Sequence, residues 1–220
     1  MSAKFSSSFE FELPLWRAGV ARVAGVDEAG RGPLAGPVVA AAAVLPSRWA
    51  ETGLPAPLSG LNDSKQLTEA QREKFFEFIT ACGEIEFAIA EVDAGVIDEI
   101  NILQATHRAM NEALAKLRPL PAHALVDGLP VRSLRLPQTA IVKGDARSFS
   151  IAAASVLAKV TRDRTMRGFH EQYPGYGFAE HKGYGTAKHL AAIEKIGACP
   201  IHRKSFAPLK PEEPEFFNHG

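Results

Sequence analysis

Five short apolar runs rich in valine, isoleucine and alanine predict five β-strands. They lie at residues 21–27, 37–45, 85–92, 123–128 and 139–145. The first two runs flank a glycine-rich stretch, which predicts a hairpin. The hairpin, the third strand and a helical crossover to two further strands indicate a mixed α/β sheet.

Apolar residues at helical spacing predict helices between and after these strands. Residues 68–82 form one, with Thr68 and Gln71 placed as a capping box, and residues 97–117 form a long amphipathic helix that Pro119 ends. The alanine-rich segment 148–169 predicts a helix that packs closely on the sheet. Beyond it we expect a loop, a short helix and the start of another helix, at 174–185, 186–197 and 201–206.

The cysteine count and the short apolar runs limit the classes of protein to which this chain can belong. Cys82 and Cys199 are the two cysteines, too few for a disulfide scaffold. The first residues lack the apolar core of a signal peptide, and the longest uncharged apolar run, 38–45, is far too short to span a bilayer. We therefore expect a soluble protein of the reducing cytoplasm, and nothing in the sequence demands more than a monomer.

The net charge is zero over the whole chain but is unevenly distributed. From Lys143 to Lys210 there are twelve Lys and Arg against five Asp and Glu, a net charge of +7, so the remainder carries −7. A basic C-terminal half predicts a polyanionic partner. The alternative, that these charges only solvate helix faces, stays open on charge counts alone.

Four acidic residues stand where predicted strands end. Asp27 and Glu28 close the first strand, Asp127 closes the fourth, and Asp145 follows the fifth. Unpaired buried carboxylates are costly, so such a cluster requires basic partners or cations, and oxygen ligands favour Mg²⁺ or Mn²⁺. The histidines form no zinc-ligand pattern.

Alternatives remain for these acids. Asp127 and Asp145 also suit turns beside glycine. Successive strand side chains point to opposite faces, so Asp27 and Glu28 ligate together only if the strand ends or is distorted there.

The glycine-rich stretch has two interpretations. It matches a dinucleotide fingerprint weakly, and we exclude that site because a proline and a strand follow where a helix should begin. Instead, Gly30 and Gly32 let the backbone approach a ligand closely, and Arg31 places a charge beside the carboxylates. A plain hairpin turn with a surface arginine is the alternative.

Several motifs, in order, resemble bacterial ribonuclease HII over roughly residues 24–206. They are GVDEAGRGPLAGPVVAAAAVL, LNDSKQLT, EINILQATHRAM, LVDG, VKGD with IAAASVLAKVTRD, HKGYGT and HRKSF. The resemblance implies an RNase H-like α/β fold, with a five-stranded mixed sheet flanked by helices and a small helical C-terminal region. It also implies endonucleolytic cleavage of the RNA strand of RNA–DNA hybrids. The resemblance further implies incision 5′ to single ribonucleotides in duplex DNA, as in ribonucleotide excision repair and DNA replication.

The resemblance assigns roles to the residues that match its motifs. The four catalytic, metal-binding acids fall on Asp27, Glu28, Asp127 and Asp145. The motif that inspects the ribose 2′-hydroxyl falls on Gly30, Arg31 and Gly32. The tyrosine that stacks beside the RNA–DNA junction falls on Tyr184, for which a half-buried loop anchor is the alternative. Lys65 and Lys143 are candidates for phosphate contacts, or else solvated surface lysines.

The expected chemistry is two-metal hydrolysis with Mn²⁺ or Mg²⁺. Two divalent ions about 4 Å apart activate the water and stabilise the leaving oxygen. The resemblance implies 5′-phosphate and 3′-hydroxyl products. The expected division of the chain is an N-terminal extension, a catalytic domain, a helical substrate-binding region and a mobile tail, at 1–20, 21–172, 173–209 and 210–220.

Two other functions fit part of the pattern. A structure-specific DNA endonuclease could use the same acids, and it would not depend on a 2′-hydroxyl. A nucleic-acid-binding module with vestigial ligands would cleave no duplex, although the complete acid set argues against it. The tail sequence EPEFF suggests docking on a replication clamp, against the alternative that a short acidic-aromatic tail is disordered.

Overall fold

The computed structural model describes residues 7–210, and within them the chain forms a five-stranded sheet. The strands are β1 (Val23–Ala29), β2 (Val38–Val44), β3 (Glu86–Val92), β4 (His123–Asp127) and β5 (Gln138–Ile141). Their order is β3-β2-β1-β4-β5; β3, β2 and β1 are antiparallel neighbours, whereas β1, β4 and β5 run parallel. The five predicted strands and the mixed sheet are confirmed.

Helices cover both faces of the sheet. In chain order they are α1 (Glu12–Arg17), α2 (Trp49–Thr52), α3 (Glu69–Ala81), α4 (Ala94–Lys116), α5 (Phe149–Gln172), α6 (Phe178–His181) and α7 (Ala187–Ile196), with 3₁₀ turns at Ala56–Leu58, Gly144–Ala146 and Pro174–Tyr176. One apolar core lies between the sheet and α4, and another lies between the opposite face and α3 with α5. This two-faced packing is typical of α/β folds.

Small residues let the helices approach the sheet closely. β2 is buried along its whole length and contains four consecutive alanines. Gly25 of β1 has no room for a side chain, because an added Cβ would lie 2.1 Å from the backbone carbonyl carbon of Ser150. The first turn of α5 therefore rests directly on β1, which fixes the loop before α5 at the end of the sheet.

Local signals set the helix boundaries. The Thr68 hydroxyl accepts the Gln71 N–H and the Gln71 side chain accepts the Thr68 N–H, so the predicted capping box of α3 is confirmed. The prediction of one continuous helix at 97–117 is wrong, because α4 begins at Ala94 and is kinked at Asn101, where φ is 65°. Asn101 Oδ1 accepts the N–H groups of the two residues at 103 and 104 and so starts a second helical segment.

The segment after α5 differs from its prediction in two places. The expected loop at 174–185 contains a 3₁₀ turn and α6, because Tyr176 and Phe178 are buried in a small apolar core with Met166. The helix expected to start at 201–206 does not form. Its backbone makes turns instead, and the Arg203 N–H bonds to the Leu34 carbonyl across the chain.

The two ends of the chain differ. Residues 7–20 include α1 and pack on the fold, with Phe9 buried against the core that contains α3 and α5. The predicted tail lies outside the described residues from 211 onward, as does its EPEFF motif. Within residues 7–210 both cysteines are free, and no helix combines the length and apolarity that a membrane span requires.

Candidate active site

The carboxyl ends of β1 and β4 lie side by side, because these strands are parallel neighbours with Val26 paired to Val126. Asp27 and Asp127 follow those residues, and Asp145 lies in the 3₁₀ turn after β5. One carboxylate oxygen from each of the three aspartates lies within 4.8 Å of the others. We call this group the acid edge.

Glu28 lies beside the acid edge but outside this set of mutually close oxygens. β1 continues through Ala29, so the alternation of strand side chains still holds at Asp27 and Glu28. Glu28 Oε1 instead lies 3.3 Å from Nη1 of Arg31. Burial raises the pKa of Glu28, the Arg31 guanidinium lowers it, and the charge of Asp127 raises it.

Burial and mutual repulsion dominate the electrostatics of the acid edge. The pKa of Asp27 stands well above its ordinary value, first because the group is buried and then because Glu28 and Asp127 repel its charge. Burial and the charge of Asp127 raise the pKa of Asp145 to about 6. These carboxylates therefore hold their charges at a cost in the protein alone.

The loop backbones orient the acid edge. Asp27 Oδ1 accepts the Glu28 N–H at 2.7 Å, Asp127 Oδ1 accepts the Gly144 N–H at 2.6 Å, and Asp145 Oδ1 accepts the Ala146 N–H at 3.0 Å. Lys65 supplies the nearby cation, with Nζ 3.5 Å from Asp145 Oδ2. That lysine is mostly exposed, so its single charge compensates the three carboxylates of the acid edge only weakly.

A divalent metal fits this arrangement. The ligand atoms are all carboxylate oxygens, which are the donors that Mg²⁺ and Mn²⁺ prefer. The repulsion between these groups and the raised pKa values of Asp27 and Asp145 are what a bound cation would relieve.

Two buried arginines hold the glycine-rich loop after β1. Arg203, fully buried, donates to the carbonyls of Gly30, Arg31 and Gly36. Arg162, 1% exposed, donates to three more carbonyls, of Ala35, Pro37 and Lys182. Gly30 has φ 94°, and a Cβ there would lie 2.0 Å from Arg162 Nε. Glycine is therefore required at this position, both for its backbone conformation and for its space.

Two neutral histidines fix the backbone of Tyr184. His202 Nδ1 accepts the Cys199 N–H at 2.9 Å, so its Nε2 carries the hydrogen and donates to His189 Nε2 at 3.0 Å. His189 Nδ1 then donates to the Tyr184 carbonyl at 2.9 Å. Burial lowers the pKa of His189 to about 4, which keeps this chain of donors intact at neutral pH.

A cleft of about 300 Å³ gathers most of the predicted site residues. Those that line it are Asp27, Glu28, Gly30, Arg31, Gly32, Lys65 and Tyr184. The Tyr184 side chain, 47% exposed, lies opposite Gly32, where a Cβ would meet its ring at 3.8 Å. Lys143 does not line this cleft; it has a left-handed backbone, φ 57°, just before the turn that holds Asp145.

Sequence reasoning missed the roles of the two buried arginines. Arg162 carried a detectable signal, because it lies four residues after Ala158 and four before Met166 on the buried side of α5. Arg203 follows no periodic pattern, since it sits in a turn. Both counted toward the basic surface in the sequence, yet neither charge is at the surface.

Known proteins match this chain closely. The family model described as Ribonuclease HII matches residues 24–209. A ribonuclease HII of Geobacter metallireducens is 53% identical over 204 residues, covering 93% of this chain and 92% of the relative. The crystal structure of the Pyrococcus horikoshii ribonuclease H2 is similar with a TM-score of 0.70 and 30% identity, over 86% of this chain and 95% of that one.

A second solved structure has the same fold at lower identity. It is the complex of PCNA with the RNase HII of Archaeoglobus fulgidus, with a TM-score of 0.67 and 24% identity, covering 89% of this chain and 98% of that one.

Proposed function

The chain belongs to the ribonuclease HII family, and we propose that it incises duplex DNA 5′ to a single embedded ribonucleotide as well as acting on RNA–DNA hybrids. Membership makes it a divalent-metal-dependent endonuclease with ribonuclease H activity on RNA–DNA hybrids. The finer activity is supported by one observation above all: a cleft lined by Asp27 of the acid edge and by Glu28 is also lined by the tightly held glycine-rich loop and an exposed tyrosine.

The proposed metal ligands are Asp27, Asp127 and Asp145, with Glu28 as the fourth catalytic acid beside them. Two divalent cations, when bound, supply an activated water and offset charge on the leaving 3′-oxygen, which leaves a 5′-phosphate. The chain contributes the orientation, because each aspartate of the acid edge is held by a backbone N–H.

Selection of ribose over deoxyribose is assigned to the loop of Gly30, Arg31 and Gly32 together with Tyr184. A backbone that reaches the sugar can bond a 2′-hydroxyl, the group that distinguishes RNA from DNA at one position. Arg203 and Arg162 already bind the carbonyls around this loop, so the loop needs no reordering when substrate arrives.

Phosphate contacts are assigned to Lys65 in the cleft and to Lys143 beside the Asp145 turn. The substrate-binding region is proposed as residues 173–209, which carry Tyr184, and the catalytic domain as residues 21–172. The cytoplasm is the proposed location, in keeping with a bacterial enzyme of DNA repair and replication. Docking of the tail on a replication clamp stays a prediction; the Archaeoglobus relative was solved bound to PCNA.

The test is incision of a DNA duplex that carries one ribonucleotide, with Mn²⁺ or Mg²⁺, beside an all-DNA duplex and an RNA–DNA hybrid. We expect a single cut on the 5′ side of the ribonucleotide and none in the all-DNA duplex. Cutting of the all-DNA duplex would indicate a DNA endonuclease, and no cutting of any duplex would indicate a binding module.

Tyr184→Ala sharpens this test. It should lower incision at the single ribonucleotide more than cleavage of a long hybrid, because only the former depends on recognising one junction. Phe78→Ala, which removes a partly buried aromatic side chain of α3 that does not line the cleft, is the control. Equal losses on both substrates in Tyr184→Ala would contradict the assigned role.

A further inference from the structure

We propose that the N-terminal segment Ser7–Glu12, which lies outside the family match at 24–209, is part of the active site: it holds the turn that presents Asp145. We call this segment the N-terminal clamp. The inference rests on the proposed metal role of Asp145. It gives a function to residues that the sequence marks only as an extension.

The clamp contacts the Asp145 turn directly. Ser7, 4% exposed, has its hydroxyl oxygen 3.2 Å from the backbone carbonyl of Asp145. The same oxygen lies 3.2 Å from Oδ1 of Asn62, which is in the loop that carries Lys65. The hydroxyl has one hydrogen, which these two acceptors share, so this buried group lies between the backbone of Asp145 and the loop of the lysine that faces its carboxylate.

Backbone hydrogen bonds extend this contact along the chain. The Ser8 N–H donates to the Arg147 carbonyl at 3.0 Å, and the Phe149 N–H donates to the Ser8 carbonyl at 3.0 Å. These bonds form a parallel bridge between Ser8 and Ser148. They hold the short stretch of chain that leads from Asp145 into α5.

Glu12, the last residue of the clamp, contacts the first turn of α5. It is fully buried, and its Oε1 accepts the Ser148 hydroxyl at 2.6 Å and the Ser150 N–H at 3.1 Å. Ser148 in turn caps α5 by accepting the Ile151 N–H. A carboxylate at a helix N-terminus also interacts favourably with the helix dipole.

Apolar packing anchors the clamp so that these bonds persist. Phe9 is 7% exposed, and its ring lies 5.0 Å from that of Phe149 and 5.3 Å from that of Trp16. The Phe149 side chain belongs to the first residue of α5. The clamp therefore moves with the start of α5 and not as a separate tail.

The position of the Asp145 carboxylate matters because a metal site tolerates only small displacements of its ligands. Within the turn, the Gly144 N–H donates to Asp127 Oδ1 and the Ser148 N–H donates to the Gly144 carbonyl, whereas the clamp supplies the side-chain contact to the Asp145 carbonyl. Loosening the clamp should weaken metal binding before it affects the rest of the fold.

The test is Mn²⁺ binding by isothermal titration calorimetry on the full chain, comparing Ser7→Ala with the parent. We expect the dissociation constant to rise about three- to tenfold, the effect of losing one buried hydrogen bond. Hybrid cleavage by Ser7→Ala should fall at limiting Mn²⁺ and recover when Mn²⁺ is raised. Ser7→Thr, which keeps the hydroxyl, should restore the parent affinity.

The control is Ser133→Ala, which loses one exposed side-chain hydrogen bond, from Asn111, and which within the described residues has no hydrogen bond with the Asp145 turn. It should bind Mn²⁺ as the parent does. Unchanged Mn²⁺ affinity in Ser7→Ala would overturn the inference. Failure of the parent itself to bind Mn²⁺ would instead overturn the proposed function.

Discussion

The acid edge and the glycine-rich loop after β1 lie next to each other, and each contains side chains of like charge that are shielded from solvent. The two regions differ in how those charges are compensated. Asp27, Asp127 and Asp145 face one another, with one exposed lysine at 3.5 Å from Asp145 as the near cation. Arg162 and Arg203 are also buried together, but each spreads its charge over backbone carbonyls of the loop.

The two regions differ in whether the protein alone satisfies their charged groups. The loop is complete in the protein alone, because its buried donors and acceptors bond one another. The acid edge is incomplete, because its carboxylates repel one another until cations bind. The loop to which we assign sugar recognition is thus ordered in advance, whereas the acid edge depends on an added ligand.

The largest expected effect comes from neutralising the acid edge. Asp127→Asn should lower turnover of an RNA–DNA hybrid by about a thousandfold or more, since metal-bound charge stabilisation is worth several kcal/mol. Duplex binding should stay measurable. Asp93→Asn, which caps α4 and which asparagine can also cap, is the matched control and should keep full turnover. Near-native rates for Asp127→Asn with Mg²⁺ would contradict the site.

Removing a side chain that holds the glycine-rich loop should instead lower the free energy of unfolding. Arg203→Met leaves the carbonyls of Gly30, Arg31 and Gly36 without their donor, and each buried unpaired group costs about 1–3 kcal/mol. We expect the free energy of unfolding to fall by about 3 kcal/mol or more in denaturant titrations. Arg164→Met removes an exposed ion pair with Glu73 and should cost under about 1 kcal/mol. Equal losses would refute the role of Arg203.

A smaller effect is expected from pH, which should change the stability contributions of Asp145 and His189 in opposite directions. The pKa of Asp145 is raised to about 6 from 3.8, so the folded protein binds the extra proton and Asp145 costs stability as pH rises through that window. The pKa of His189 is lowered to about 4 from 6.5, so its contribution to stability is lost as pH falls through 6.5 toward 4.

Asp145→Asn should remove the first trend and leave the second. Its metal-free melting temperature should exceed that of the parent at pH 7 and match it near pH 4. Melting curves in EDTA at unit pH steps measure this. The same difference at every pH would show that the Asp145 carboxyl is not perturbed.

The sheet was predictable from sequence because each strand lies in a short run dominated by apolar, β-favouring residues. Thr68 and Gln71 fixed one helix start in the same way, through neighbours along the chain. The kink at Asn101 and the turns around Tyr176 and Arg203 were not predictable, because they depend on side-chain capping and on contacts with distant segments.

The acid edge was predictable in part. Parallel neighbours bring strand ends together, which placed Asp27 beside Asp127. The surface charge was overestimated, because Arg162 and Arg203 are buried and Arg167 pairs with Glu69 and Glu73 on α3. Charge counts along a chain cannot separate solvent-facing groups from those that bond backbone or each other.

The central claim is that the acid edge is incomplete without cations. Melting of the parent and of Asp27→Asn, each in EDTA and in excess Mn²⁺, tests it most directly. In EDTA the variant should melt higher, because it removes a buried, repelled carboxylate. In Mn²⁺ the parent should melt higher, because metal at a hundredfold excess over its dissociation constant adds about 2.7 kcal/mol. A variant that melts below the parent in both conditions, or a parent that Mn²⁺ does not stabilise, would contradict the claim.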